Sequence, residues 1–248
     1  MNPFIPPKSA NVAIVDGRID KEIENNLKRL GLKIIKTIKC HEVHESIAYH
    51  PDIVIHPINH NTLIIAPNVF EYYEEMLSNM GIKLIKGEKY LDSKYPEDIA
   101  YNVGRLIGAA IHNFKYTDEV LKYHLKKENI DFINVNQGYT KCSLAIVGED
   151  SAITADYPMY EKLRDFGYKV LLIQSGYVSL EGQKYGFIGG TNGSLYNGKS
   201  IISGSLNGHP NKDEILNFFI KNNTNLIFFI EKKYIRYWYY NYSILPLK

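Results

Sequence analysis

The chain alternates between two hydrophobic periods. Short apolar runs at Val12–Val15, Leu63–Ala66 and Ala152–Thr154 read as buried strands. Each is followed by a stretch with apolar residues three or four apart, such as Ile23, Leu27 and Leu30, which predicts a helix with one buried face. Each predicted helix stops at a glycine: Gly31, Gly81 and Gly167. Glycine suits the left-handed residue just past a helix end because it has no Cβ to clash. An apolar residue, a lysine and two further apolar residues follow, as in Leu32-Lys-Ile-Ile, Ile82-Lys-Leu-Ile and Tyr168-Lys-Val-Leu, and predict a second strand.

The spacing of these stops predicts a repeat. Gly31 and Gly81 stand one repeat apart, and Gly81 and Gly167 stand two apart. The intervening unit lies between Thr117 and Val135, with Asn129 where the others have glycine; asparagine is the usual substitute in a left-handed cap. A fifth unit runs from Ser200, with a strand at Ile201–Ser203, a helix at Asp213–Ile220, an Asn-rich stop and a strand at Leu226–Ile230. The expectation is one α/β domain over residues 1–248, built from five strand–helix–strand units. The competing reading is an open α/β sheet, whose helices also tend to end in glycine.

Composition narrows the function classes. With 29 basic and 27 acidic residues and a net charge of +2, the chain carries no clustered basic excess of the kind that marks a nucleic-acid or acidic-membrane partner. No apolar run reaches membrane-spanning length, and Met1–Lys8 has no signal-peptide core. The two cysteines, Cys40 and Cys142, make no disulfide framework, which points to a reducing, cytoplasmic setting.

Two short segments carry chemistry. The first, from Tyr49 to Ala66, has a His50-Pro51-Asp52 step entering a predicted strand. The second, Asn136-Gln-Gly-Tyr-Thr-Lys-Cys-Ser-Leu-Ala-Ile-Val147, is a Gly-containing approach to Cys142 with a strand directly after it. Together with five ββαβ-type units, these segments resemble the pentein, or guanidino-group-modifying enzyme, superfamily, and an uncharacterised bacterial family of that fold in particular. The resemblance implies an α/β propeller about a pseudo-five-fold axis. It implies Cys142 as nucleophile, His50 as catalytic histidine and Asp52 as the carboxylate that grips a guanidinium. One whole unit separates the units of His50 and Cys142, as in smaller members of the superfamily.

This chain departs from the superfamily pattern in three places. A Glu-Gly-Gly-Asp-like segment normally precedes the histidine unit, and Lys8-Ser-Ala-Asn11 stands there instead, leaving Lys8 or Asp16 to take over part of the acidic role. The unit after the cysteine reads Gly186-Phe-Ile-Gly-Gly-Thr-Asn-Gly193, without an acid. The histidine also arrives in the second unit, not the third. The expected activity is cysteine-dependent hydrolysis or group transfer at the C–N bond of an amidine, guanidino or ureido compound, through a covalent thiouronium-type intermediate. The alternative is a non-catalytic binding protein of the same fold. The expected ligand is a small cationic or ureido molecule, held by Asp52 and by backbone carbonyls near Gly189 and Gly190. No cofactor, metal, nucleic acid or membrane is expected, and a homodimer is allowed.

Other features carry less. His41, His44, His50, His56 and His60 are five of the eight histidines, but they lack metalloprotease spacing; the expectation is solvated histidines with one in the site. Cys40 reads as structural, at a strand end. Gly186–Gly193 lacks the Gly-Lys-Ser/Thr ending of a phosphate loop, and Asn197-Gly198 reads as a hairpin turn. The aromatic stretch from Tyr234 to Tyr242, including Trp238, is expected to pack over the first strand or a second subunit.

Overall fold

The five predicted units are present and share one geometry. The computed structural model describes residues 2–196 and 198–229. Unit one comprises strand β1 (Val12–Val15), helix α1 (Lys21–Arg29) and strand β2 (Lys33–Lys36). Unit two comprises the short helix α2 (Pro51–Val54), β3 (Ile55–Asn59), β4 (Thr62–Ile65), α3 (Phe70–Leu77) and β5 (Lys83–Lys86). Unit three has β6 (Gly104–Leu106), β7 (Ala109–His112), α4 (Glu119–Lys127) and β8 (Asp131–Asn134). Unit four opens on the helical turn α5 (Thr140–Ser143), then β9 (Leu144–Gly148), β10 (Ser151–Thr154), α6 (Tyr157–Asp165) and β11 (Lys169–Leu172). Unit five begins with a 3-10 turn, Ile188–Gly190, followed by β12 (Asn192–Tyr196), β13 (Lys199–Ile202), α7 (Lys212–Lys221) and β14 (Asn225–Phe228).

In units two to five an antiparallel hairpin precedes a parallel crossover through the helix. Unit one has only the parallel pair β1–β2 among the described residues. One backbone hydrogen bond recurs at the entrance of every last strand: Lys33 to Asn11, Lys83 to Asn61, Asp131 to Gly108, Lys169 to Asp150, and Asn225 to Gly198, all at 2.7–3.0 Å. Its recurrence fixes the same register in all five sheets.

The predicted helix stops are left-handed in all five units. Gly31, Gly81 and Gly167 have φ of +84°, +68° and +85°, and Asn129 and Asn223 have +55° and +54°. In four of the units, the N–H of the residue after the left-handed one turns back to close a Schellman-type cap, as in Leu32 to Leu27 and Ile130 to Leu125. Aspartates start three of the helices: Asp20, Asp118 and Asp156 each accept a backbone N–H of the first turn.

The ring closes between the last unit and the first. Ala10 N–H donates to the Leu195 carbonyl at 2.8 Å, and Asn26 Nδ2 donates to the Phe229 carbonyl at 3.1 Å. Val15, Leu27, Leu195 and Ile201 share one apolar cluster across that seam. Inside the ring the first strands of adjoining units touch, β6 with β9 and β9 with β12. The N-terminal segment folds inward as well: Asn2 donates to Glu149 and to the Arg105 carbonyl, and the Phe4 ring lies edge-on to His56 and beneath Lys141 Nζ.

Three expectations need correction. Cys40 lies beyond the end of β2, in the following loop, buried with its S–H toward Glu42 Oε2. His50 is not on a strand with His56 and His60: it caps α2, and β3 starts five residues later. His56 is buried in β3, so two of the five clustered histidines are shielded from solvent. Gly198 sits at φ +88° in the β12–β13 hairpin, as a tight turn requires. Asn197, Ile230 and the aromatic stretch from Tyr234 lie outside the described residues.

Candidate active site

The same position in units two to five lines the candidate site: the turn just before the first strand. Cys142 stands two residues ahead of β9, Asn102 two ahead of β6, and Asp52 three ahead of β3. Short helical turns end there because the chain must switch from αR to extended backbone, and Pro51 starts α2 with its φ already set for a helix. His50 is the residue before Pro51 and is therefore extended, at φ −70° and ψ 120°.

Cys142, His50 and Asp52 converge. One ligand-type atom from each lies within 4.8 Å of the others, and all three residues are at most 3% exposed. Cys142 S–H donates to Asp52 Oδ2 at 3.2 Å, and Asp52 Oδ1 has no partner. Burial first, and then the Asp52 charge, push the Cys142 thiol well above its ordinary range. Burial also lowers His50, while Asp52 and Asp16 pull the other way. The resting pair is accordingly a neutral thiol beside a neutral imidazole.

Asp16 is the acid that stands beside His50. It follows directly on β1, is fully buried, and places Oδ2 at 3.7 Å from His50 Nε2. Arg18 holds the same carboxylate with two bonds, Nε to Oδ1 at 3.0 Å and Nη2 to Oδ2 at 2.8 Å. The Arg18 guanidinium lies over the Tyr49 ring and donates to the carbonyls of Glu45 and Ser46. Lys8, the other candidate, is exposed.

Asn102 is a residue the motifs did not flag. Its side-chain Oδ1 accepts the Cys142 N–H at 3.1 Å, and its Nδ2 donates to Cys142 Sγ at 3.1 Å and to the Asp52 carbonyl at 3.0 Å. Its own carbonyl accepts from Thr140 Oγ1 and Lys141 N. One buried amide thus fixes the cysteine turn against the aspartate turn. The signal that could have found it is register, since it occupies the position of Cys142 one unit earlier.

Gly189 and Gly190 hold the corresponding place ahead of β12. A Cβ on Gly189 would lie 2.3 Å from the Lys141 carbonyl oxygen and 2.6 Å from those of Cys142 and Leu144. The Gly189 carbonyl already accepts Lys141 Nζ at 2.9 Å. Its evident contribution is close packing against α5 and a hold on Lys141.

His50, Asp52 and Cys142 are also the only histidine, cysteine and carboxylate group of metal-ligand spacing among the described residues. His41, His44, His56 and His60 join no such group there.

The architecture defines the class of protein. The chain is similar to SxtG, an amidinotransferase from Microseira wollei in the saxitoxin biosynthetic pathway, at 11% identity, covering 100% of this chain and 96% of that one with a TM-score of 0.60. It is similar to DDAH from Pseudomonas aeruginosa in complex with citrulline, at 11% identity, covering 89% and 92% with a TM-score of 0.55. It is likewise similar to the C. jejuni agmatine deiminase, at 10% identity, covering 90% and 89% with a TM-score of 0.53. These likenesses establish a pentein fold. No curated protein matches the sequence. Residues 14–237 match a family of unknown function, DUF6873, and the chain belongs to that family. No helix among the described residues is long and apolar enough to cross a membrane.

Proposed function

We propose that this protein breaks or exchanges a C–N bond of an amidine, guanidino or ureido compound, with Cys142 as nucleophile. The observation that supports this most is the convergence of Cys142, His50 and Asp52, from two different units, with one Asp52 oxygen unpartnered and buried.

In this reading the substrate cation is held by Asp52 through charge-assisted hydrogen bonds. The incoming positive charge offsets the burial and the Asp52 charge that hold the thiol neutral, so binding itself favours the thiolate. The thiol proton passes to His50, and sulfur forms a bond to the planar carbon. The C–N bond then breaks, and the leaving amine takes the proton from His50. Water or a second amine next attacks the thiouronium-type carbon, giving its proton to His50, and the C–S bond breaks as the departing sulfur takes that proton from His50, which releases the product and restores the neutral pair. Asp16 positions His50 and stabilises the transient imidazolium. Asn102 positions Cys142.

The closed, fully buried site favours a second reading, a pentein used for binding, because a neutral thiol with a raised pKa is a poor nucleophile. Alkylation of Cys142 separates the two. Chloroacetamidine, an amidinium reagent, is expected to label Cys142 faster than iodoacetamide below neutral pH, and His50→Ala is expected to slow that labelling, with Cys142→Ala as the blank. Equal rates for the two reagents, with ordinary thiol pH dependence, would sink the catalytic reading.

A further inference from the structure

A cavity lies beside the cysteine turn and is lined by its Ser143. It encloses about 180 Å³ between units four and five. One water needs on the order of 10–15 Å³, so a molecule of roughly ten heavy atoms fits. Its inner wall includes Ser143, Ile173 and Ile188, and its outer wall is the segment after β11, from Gln174 to Phe187. That segment is pinned by the Gly186 N–H to Val178 carbonyl bond at 2.7 Å.

Two observations indicate that the cavity is built to receive a ligand. Ser143 is 3% exposed, lines the cavity, and its Oγ has no hydrogen-bond partner. A buried hydroxyl without a partner carries a desolvation penalty that a bound polar group would remove. The other observation is charge. Asp156 is the one formally charged side chain on the lining, and no Lys or Arg is among the lining residues. Asp156 Oδ1 accepts the Met159 N–H and Oδ2 accepts Gln137 Nε2, which leaves lone pairs on both oxygens. His209 accepts the Asn211 N–H on Nδ1, its ring lies 4.8 Å from that of Tyr177, and burial holds it toward the neutral form. Tyr177, Tyr185 and Phe187 add aromatic faces.

We propose that this cavity is a binding site for a small organic cation, with Asp156 as counter-charge, Ser143 as hydrogen-bonding partner and the aromatic wall as cation–π surface. It uses residues other than Cys142, His50 and Asp52 and does not depend on their chemistry. Ser143 adjoins Cys142 in α5, so a molecule seated there touches the turn that carries the cysteine.

Benzylammonium, which can donate N–H to Ser143 Oγ and to Asp156 and carries no amidine carbon for the cysteine to attack, is a suitable probe. The experiment titrates it into the full chain carrying Cys142→Ala, by calorimetry or by NMR shifts. Saturable one-to-one binding is expected. Asp156→Asn, which retains a capping side chain for α6, is expected to weaken it about tenfold. Ala155→Leu, which fills the cavity, is expected to abolish it. The proposal is overturned if binding is absent, if it survives Ala155→Leu, or if Asp156→Asn leaves it unchanged and benzyl alcohol binds equally well.

Discussion

At the scale of single residues, Asp52 acts twice on the same thiol, and both effects raise its pKa. Its charge raises the Cys142 pKa and its Oδ2 accepts the S–H, so in the free protein it keeps the nucleophile protonated. The Asp52→Asn variant is therefore expected to react faster with neutral iodoacetamide near neutral pH, by about threefold to tenfold, since thiolate population rises tenfold per pKa unit lost. The same variant is expected to lose the preference for an amidinium reagent. Slower iodoacetamide labelling would mean instead that Asp52 accepts the proton as a base. Two local segments, Tyr49 to Ala66 and Asn136 to Val147, singled out Cys142, His50 and Asp52 as candidates, and neither contains Asn102. Asn102 belongs to no local motif and matters only through three hydrogen bonds to residues 40 or 50 positions away. Asp16 was recognisable only as a nearby acid, because its link to His50 spans the boundary between two units.

At the scale of elements, glycines hold two different kinds of position, and substitution separates them. Gly167 ends α6 at φ +85°, and a Cβ there would meet open space, so only backbone conformation is at stake. Gly167→Ala is expected to cost about 1 kcal/mol. Gly189 has no positive φ, yet a Cβ there would meet three carbonyl oxygens of the cysteine turn. Gly189→Ala is expected to cost about 3 kcal/mol or more, because those oxygens belong to main chain and cannot swing aside. Urea denaturation of both variants checks the order, and equal losses would contradict it. The contrast also explains what the sequence could reveal. Gly31, Gly81, Gly167, Asn129 and Asn223 announce themselves by periodic spacing after amphipathic helices, and all five adopt the left-handed cap. Gly189 sits in a glycine-rich run whose demand comes from a neighbouring unit, which no local pattern records.

At the scale of the whole molecule, three of the buried histidines, His50, His56 and His112, are at most 1% exposed. Burial is the largest cause in each case, and it lowers all three below their ordinary value of 6.5, His112 to about 4. His112 Nε2 donates to the Gly138 carbonyl at 2.7 Å, and its Nδ1 lies 2.6 Å from Thr117 Oγ1, a hydroxyl that can donate to the neutral ring. The unfolded chain therefore binds more protons than the folded one below pH 6.5, and stability falls as pH falls. The loss attributable to His112 accumulates between pH 6.5 and about 4, and amounts to roughly 3 kcal/mol by the end of that window. His112→Gln, which can keep one donor and one acceptor in place, is expected to flatten that part of the pH–stability curve while lowering stability at neutral pH. Denaturant melts across that range measure both effects. A curve that kept its slope in the variant would place the acid sensitivity at His50 and His56. His56 lies against Phe4 and close to Arg105 and His112 of unit three, and His50 lies beside Asp16, so acid would then act at the contact between units two and three and at the candidate active site.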